Sequence, residues 1–104
     1  MKVCIIIPVF NEQDFIKNSV ESLINQTIKP AEVIYVNDNS TDNSKNIIKN
    51  LTGKYEWIRI IDHKSVQEHI PGGKVIEAFN FGLKNLETQF DVICKFDGDI
   101  ILPT

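Results

Sequence analysis

Apolar residues along the chain fall into two alternating patterns: short β-branched runs and longer segments with helical spacing. Val3–Val9 is nearly all apolar, as expected for a strand buried on both faces of a parallel sheet. Three further runs have the same character: Glu32–Asn37, Trp57–Asp62 and Val92–Phe96. Between these runs, apolar residues recur every three or four positions, which predicts amphipathic helices. The pattern therefore predicts the order β-α-β-α-β-α-β.

Polar residues and glycines mark the ends of the predicted helices. Asn11 is placed to cap the first helix, which should run to about Gln26. Asp42 falls in the first turn of the second helix, where a carboxylate favours the positive helix end, and Gly53 is placed to follow that helix as a C′ glycine. The third helix follows Pro71-Gly72-Gly73, and its apolar face comprises Val75, Ile76, Phe79, Leu83 and Leu86.

Strands that alternate with helices indicate a parallel sheet covered by helices on both faces, a three-layer Rossmann-like α/β fold. Right-handed crossovers leave few topologies for such a sheet, and the strand order 3-2-1-4 is favoured. The 104 residues suit a single domain, and no internal repeat or linker divides them.

Composition and charge limit the classes of function. The net charge of −3 gives no bulk electrostatic support for nucleic-acid binding, so no nucleic-acid partner is expected. No apolar run approaches the roughly 18 residues of a membrane span. Cys4 and Cys94 lie inside apolar runs, which favours buried thiols in a reducing compartment over a disulfide. We therefore expect a cytoplasmic protein, and peripheral association with the inner face of the membrane stays open.

Three polar segments follow predicted strands: Pro8–Glu12, Asn37–Ser40 and Asp97–Asp99. In an open α/β sheet, ligands bind outside the carboxyl ends of the strands, where the strand order reverses. That point lies here between strands 1 and 4. Four carboxylates are thus expected at one edge of the sheet: Glu12, Asp38, Asp97 and Asp99.

Asp97-Gly98-Asp99 is the strongest candidate for a metal site. Two acids this close repel each other unless a cation lies between them, and no helical pattern follows that they would cap. Hard carboxylate oxygens suit Mg²⁺ or Mn²⁺ rather than zinc. Gly98 permits a tight turn and the close approach of a ligand to the backbone.

Other ligand-binding patterns receive less support. The first strand is followed by Pro-Val-Phe-Asn-Glu rather than a glycine-rich turn, which argues against a dinucleotide-binding fold. Gly72–Val75 lacks the Ser/Thr and the spacing of a phosphate loop. His63 and His69 fall in a predicted polar loop and are interpreted as solvated surface residues, because two isolated histidines do not make a metal site.

The segments described so far resemble the inverting family 2 glycosyltransferases of GT-A fold, over essentially the whole chain. Ile7–Glu12 is similar to the opening motif of that family, and Ser22–Thr27 to the end of its first helix. Val36–Asp42 resembles its second motif, Gly73–Gly82 the stretch before its Asp-x-Asp, and Asp97–Asp99 the Asp-x-Asp itself. Asn37 is one departure, since the family often has Asp there.

The resemblance implies a site for a nucleotide-diphosphate sugar, with a UDP-sugar favoured and a GDP-sugar left open. Pro8, Phe10 and Glu12 would line the nucleoside pocket. Asp38 would accept a hydrogen bond from the base, with Val36 packed beside it.

The resemblance places the diphosphate and the metal farther along the chain. Lys74 would approach the diphosphate, with a solvated lysine at a helix start as the alternative. Asp97 would contact the ribose or the metal, with Gly98 between the two acids, and Asp99 would be the main ligand of Mn²⁺ or Mg²⁺.

The resemblance also implies what residues 1–104 do not supply. The general base of the family lies well beyond its Asp-x-Asp, so it is expected after Thr104, and these residues would form the donor half of a site. We therefore expect no transfer activity from the chain alone and self-association through a truncated sheet edge. A nucleotide-binding module without transfer activity, or a plain α/β interaction domain, are the alternatives.

Overall fold

A computed structural model of the chain describes residues 2–26, 29–38, 40–64 and 73–96, with the backbone alone for 73–75. Strands and helices alternate in the described part, in the order β1 (Val3–Val9), α1 (Gln13–Ile24), β2 (Glu32–Asp38), α2 (Ser44–Thr52), β3 (Ile58–His63), α3 (Gly73–Lys84) and β4 (Val92–Lys95). The strands form one parallel sheet in the order β3-β2-β1-β4, which confirms the predicted topology.

Several predicted boundaries need correction. β3 starts and ends one residue later than predicted, and β4 ends at Lys95, although the Phe96 N–H still donates to Ile6 O at 3.1 Å. α1 ends at Ile24 rather than near Gln26. Gly53 is the C-cap of α2 with φ −58° and ψ −23°, so it is not a left-handed C′ glycine. Its N–H donates to Lys49 O at 3.1 Å, which continues the helical hydrogen bonding.

The two faces of the sheet carry separate apolar clusters, because successive side chains of a strand point to opposite faces. α1 and α2 cover one face, and the buried strand residues there are Ile5, Ile7, Val9, Val33, Tyr35 and Ile58. α3 covers the other face, where the fully buried residues are Ile6, Ile34, Val36 and Ala78. The predicted three layers are therefore present.

Gly82 sets how closely α3 approaches the sheet. A Cβ at this position would lie 2.7 Å from Cγ2 of Ile6 and 2.9 Å from Cγ2 of Val36. Both distances are shorter than ordinary carbon–carbon contact, so any larger residue would push the helix away from β1 and β2. Glycine at this one point lets α3 lie directly on the centre of the sheet.

The two cysteines lie on neighbouring strands but on opposite faces. Cys4 is opposite Ile93 in the β1–β4 ladder, and Cys94 is opposite Ile5. A shift of one residue along a strand reverses the face, so the two thiols point apart. Both are free, as predicted, and burial raises the pKa of the Cys4 thiol, with the Glu32 carboxylate acting in the same direction.

The buried carboxylate of Glu32, a residue that is 5% exposed, connects the amino end of β2 to neighbouring elements by hydrogen bonds. Its Oε2 accepts from Arg59 Nη2 at 2.8 Å and from Nε at 3.3 Å, and its Oε1 accepts from the N–H groups of Glu87 at 3.1 Å and Thr88 at 2.9 Å. Burial opposes ionisation, but Arg59 and these N–H groups outweigh it and lower the pKa of Glu32. The contacts join β2, β3 and the connection after α3.

The described part of the chain contains no helix with the length and apolar character needed to cross a bilayer.

Candidate functional site

Predicted site residues meet at the carboxyl edge of the sheet. Pro8 and Val36 are partners in the β1–β2 ladder, and Asp38 is the last residue of β2, only 6% exposed. Phe10 follows β1 and is 53% exposed, and Glu12 is the N-cap of α1. These five residues therefore lie at or just beyond the carboxyl ends of the neighbouring strands β1 and β2.

Within this group, Val36 and Asp38 have distinct surroundings. Val36 is fully buried against Gly82 of α3, and its packing supports the carboxyl edge of the sheet. Because side chains alternate along β2, Asp38 lies on the same face as Val36, the face that α3 covers. The Asp38 carboxylate therefore lies at the end of a central strand, on the face of the sheet that α3 covers.

The remaining predicted ligands fall outside the described residues. Asp97, Gly98 and Asp99 are not described, and of Lys74 only the backbone in α3 is. Asp97 follows Phe96 in the sequence, and β4 pairs with β1 up to Lys95. In the ranges that are described, no group of three or more His, Cys, Asp or Glu side chains could hold a metal ion. Asp97 and Asp99 supply hard carboxylate oxygens, so their donor chemistry fits Mn²⁺ or Mg²⁺.

The loops after β1 and β2 are joined by reciprocal capping of the two helices that follow them. Ser44 Oγ accepts from the Glu12 N–H at 2.7 Å, and Asp42 Oδ2 accepts from the Gln13 N–H at 3.1 Å. In return, Gln13 Oε1 accepts from the Asn43 N–H at 3.0 Å. Asp42 Oδ1 accepts from the Ser44 N–H at 2.9 Å, so one carboxylate serves both helices. The side chains of the two N-cap residues, Glu12 and Asn43, make no capping hydrogen bond, so other side chains cap both helices.

Asp42 lies one residue before the N-cap Asn43, not in the first turn of α2 as its sequence position predicted, although its carboxylate does accept hydrogen bonds at the start of both helices. Partial burial opposes its ionisation, but hydrogen bonds from Ser44 and from the Gln13 N–H prevail and lower the pKa of Asp42. Its carboxylate therefore stays charged between the positive ends of α1 and α2.

Asn11 does not cap α1, and the sequence-based prediction of that role is wrong. Its φ is 51°, in the left-handed region, and Glu12 takes the N-cap position. The Asn11 side chain reaches across to the other loop, where Oδ1 accepts from the N–H groups of Thr41 at 2.8 Å and Asp42 at 3.3 Å. Ser40 Oγ accepts from the Asn11 N–H at 3.1 Å.

Asn37, the departure from the family pattern, lies on the face of the sheet covered by α1 and α2. Its Nδ2 donates to Asp62 Oδ1 at 3.0 Å, and Lys45 Nζ lies 2.5 Å from the other oxygen of that carboxylate. Hydrogen bonds from Lys45 and Asn37 lower the pKa of Asp62. An aspartate at position 37 would instead face a second carboxylate, so asparagine is compatible with Asp62 and an acid is less so.

His63 is not the solvated loop residue that the sequence predicted. It ends β3 opposite Asp38, its side chain is 20% exposed, and its Nε2 lies 2.9 Å from Oε2 of Glu77. The imidazole stacks on Phe81 with centroids 4.3 Å apart. Glu77 and Phe81 lie one helical turn apart on α3, which explains how both reach one ring. His69 lies outside the described residues.

The sequence profile of the family described as Glycosyl transferase family 2 matches residues 4–104. The chain therefore belongs to glycosyltransferase family 2, as its motifs indicated.

Two curated relatives give the extent of the likeness. The chain is 40% identical over 74 residues to the poly(ribitol-phosphate) beta-glucosyltransferase of Bacillus spizizenii, covering 69% of this chain and 12% of that protein. It is 32% identical over 100 residues to the probable glycosyltransferase YdaM of Bacillus subtilis, covering 94% of this chain and 23% of that protein. The chain thus spans less than a quarter of the length of either relative.

Solved structures show the same fold. The crystal structure of residues 1–349 of S. aureus TarS in complex with UDP matches with a TM-score of 0.73 at 27% identity, over 95% of this chain and 28% of that chain. Mannosyltransferase PcManGT from Pyrobaculum calidifontis, in complex with GDP-Man and Mn²⁺, matches with a TM-score of 0.73 at 19% identity, over 99% and 29% of the two chains. The second likeness concerns the fold alone. The predicted Rossmann-like, GT-A-type architecture is confirmed.

Proposed function

We propose that this chain carries the donor-binding part of an inverting glycosyltransferase that uses a nucleotide-diphosphate sugar and a divalent metal ion. The observation that carries the proposal is the carboxyl edge of the sheet. There, the buried Asp38 ends β2 beside the Pro8–Val36 pair, in a chain that belongs to glycosyltransferase family 2. S. aureus TarS, with 27% identity, was solved in complex with UDP, which supports a UDP-sugar as the donor. A GDP-sugar is the second candidate.

Each residue of the proposed site has a physical task. Asp38 accepts a hydrogen bond from an N–H of the base, and a hydrogen bond to a charged, nearly buried carboxylate is stronger than one between neutral groups. Pro8, Phe10 and Glu12 border the nucleoside, and Phe10 offers an exposed ring for apolar contact. Lys74 is proposed to approach the diphosphate.

Asp97 and Asp99 are proposed to hold the Mn²⁺ or Mg²⁺ ion, with Gly98 allowing the ligand to approach closely. When bound, the ion supplies Lewis-acid stabilisation of the leaving diphosphate. In an inverting transfer, an acceptor hydroxyl attacks the anomeric carbon from the side opposite the nucleoside diphosphate, whose bond to that carbon breaks, and the hydroxyl proton passes to a general base. We assign no general base within residues 1–104 and expect transfer to an acceptor to need residues outside them.

Ligand-induced stabilisation tests the donor site directly. UDP or GDP with Mn²⁺ should raise the melting temperature, and the same nucleotide in EDTA should do so much less, because the acidic edge repels a bare diphosphate. At one hundred times the dissociation constant, binding adds about 2.7 kcal/mol to the free energy of unfolding. For a domain of this size, that corresponds to a shift of roughly 10 °C or more.

Two variants separate the base from the metal. Asp99→Asn should remove the metal-dependent part of the shift, whereas Asp38→Asn should weaken nucleotide binding and leave its metal dependence intact. A full shift in EDTA that Asp99→Asn does not change would contradict the metal assignment. If neither UDP nor GDP shifts the melting temperature under any condition, the donor-binding proposal fails.

A further inference from the structure

The side chain of Asn11 joins the loops that follow β1 and β2, in addition to the capping contacts of the two helices. Oδ1 of Asn11 accepts from the N–H groups of Thr41 and Asp42, which lie 30 and 31 residues farther along the chain. The N–H of Asn11 donates to Ser40 Oγ, so this residue contacts the second loop through both its backbone and its side chain.

The backbone of Asn11 makes this contact possible. Among the described residues other than glycine, it alone has a positive φ, at 51°. Most residues avoid this left-handed region because Cβ approaches the following carbonyl oxygen, and asparagine is among those that tolerate it best. The turn separates Phe10, which lies exposed at the edge, from Glu12, the N-cap of α1.

We propose that Asn11 is a positioning residue for nucleotide binding: its side-chain oxygen fixes the Phe10–Glu12 segment relative to the loop that follows Asp38. The inference rests on the proposed function, since these two segments border the proposed nucleoside pocket. Without the two hydrogen bonds, each loop keeps its fold and the helix-capping contacts remain, but the position of one loop relative to the other is less restricted. A ligand that contacts both loops then has to order them when it binds, which weakens its affinity.

Substitutions at Asn11 distinguish a role for its left-handed backbone from a role for its side-chain oxygen. Asn11→Gly keeps the left-handed conformation, which glycine adopts freely, and removes the acceptor. Asn11→Ala removes the acceptor and also strains the backbone. Asn11→Asp keeps an acceptor oxygen and tolerates the same φ. If the side-chain oxygen positions the loops, glycine and alanine should both impair binding, although glycine should lower the melting temperature less than alanine, which adds backbone strain.

The first measurement requires no ligand. Amide hydrogen exchange of Thr41 and Asp42, followed by NMR, should be about tenfold faster or more in Asn11→Gly than in the wild type, because these N–H groups lose their acceptor. Exchange should stay slow in Asn11→Asp. Asn50→Ala, a change at an exposed asparagine of α2, is the matched control and should leave both amides unchanged.

The second measurement is the dissociation constant of UDP, and separately of GDP, with Mn²⁺ by calorimetry. Asn11→Gly and Asn11→Ala should weaken binding about tenfold, the effect expected for two neutral hydrogen bonds. Asn50→Ala should bind as the wild type does. Wild-type-like affinity in Asn11→Gly, or unchanged exchange at Thr41 and Asp42, overturns the inference alone. Failure of the wild-type protein to bind either nucleotide overturns the proposed function and this inference with it.

Discussion

The two ends of the sheet use polar residues in opposite ways. At the amino end, Glu32 is surrounded by donors from β3 and from the connection after α3, and its bonds hold elements of the fold together. At the carboxyl end, polar side chains join one loop to another, and Asp38 and Phe10 lie at the edge of the sheet. The amino end therefore stabilises the fold, whereas the carboxyl end shapes a surface. Changes at the two ends should separate stability from ligand binding.

The largest expected effect is at the amino end. Glu32→Gln leaves Arg59 without its buried counter-charge and should lower the free energy of unfolding by about 3 kcal/mol, measured by urea denaturation. The matched control is Glu87→Gln, because Glu87 is 77% exposed and lies 3.7 Å from the same guanidinium. Its effect should stay within about 0.5 kcal/mol. If Glu32→Gln also abolished the shift that a nucleotide produces, the two ends would not be independent.

An intermediate effect is expected where α3 meets the centre of the sheet. Gly82→Ala places a methyl group against Ile6 and Val36, and should destabilise the protein by about 1–2 kcal/mol in spite of the better helix propensity of alanine. Because Val36 underlies the carboxyl edge, nucleotide affinity should fall as well.

Gly53→Ala is the control for that change. Gly53 has a right-handed φ of −58°, and an added Cβ would meet a single carbonyl oxygen, that of Lys49, at 3.1 Å. Its effect on stability should be smaller, and nucleotide affinity should not change. Equal effects of the two substitutions would show that close packing beneath Val36 is not the cause.

A smaller effect should appear in acid. The pKa values of Glu32, Asp42 and Asp62 are lowered from 4.5, 3.8 and 3.8, so these carboxyls bind protons more readily in the unfolded chain. Their contribution to stability is complete above those values and is lost as pH falls through the lower pKa values of the folded state. Urea midpoints between pH 2 and 7 should therefore decrease on acidification.

The acid profile also distinguishes the two ends of the sheet. Glu32→Gln should flatten the profile more than Asp42→Asn does, since the donors to Glu32 include the charged Arg59 whereas the donors to Asp42 are neutral. If Asp42→Asn flattened the profile more than Glu32→Gln, the main acid-sensitive contact would lie at the carboxyl end of the sheet.

The sheet was predictable from sequence because residues that are neighbours in the chain indicate each strand and helix. Each strand is a short β-branched run, the segments between the strands have helical periodicity, and the right-handed crossover rule then gives the order. The same topology predicted that Pro8, Glu12 and Asp38 meet at one edge, which the structure confirms. Their roles toward a ligand remain predictions, as does the metal site.

Apart from the helix and strand boundaries, the errors at Asn11 and His63 concern contacts between residues far apart in sequence. Asn11 after a strand suggests a helix cap, but its partners lie 30 and 31 residues away, and no local pattern indicates them. His63 looks like a loop residue because the residues that bury it, Glu77 and Phe81, belong to a later helix. Such contacts follow only once the layers of the fold are assembled.

Reciprocal capping has a consequence for the order in which the chain folds. The N–H groups of Glu12 and Gln13 donate to Ser44 and Asp42, so these two caps of α1 form only after β2 and the start of α2 are in place. Closing a loop of about 30 residues carries an entropic cost before the new contacts repay it. Substitutions at Asp42 should therefore accelerate unfolding and leave the folding rate nearly unchanged, with φ-values near zero. The proposed nucleotide site would then be among the last parts of the molecule to form, after the sheet that supports it.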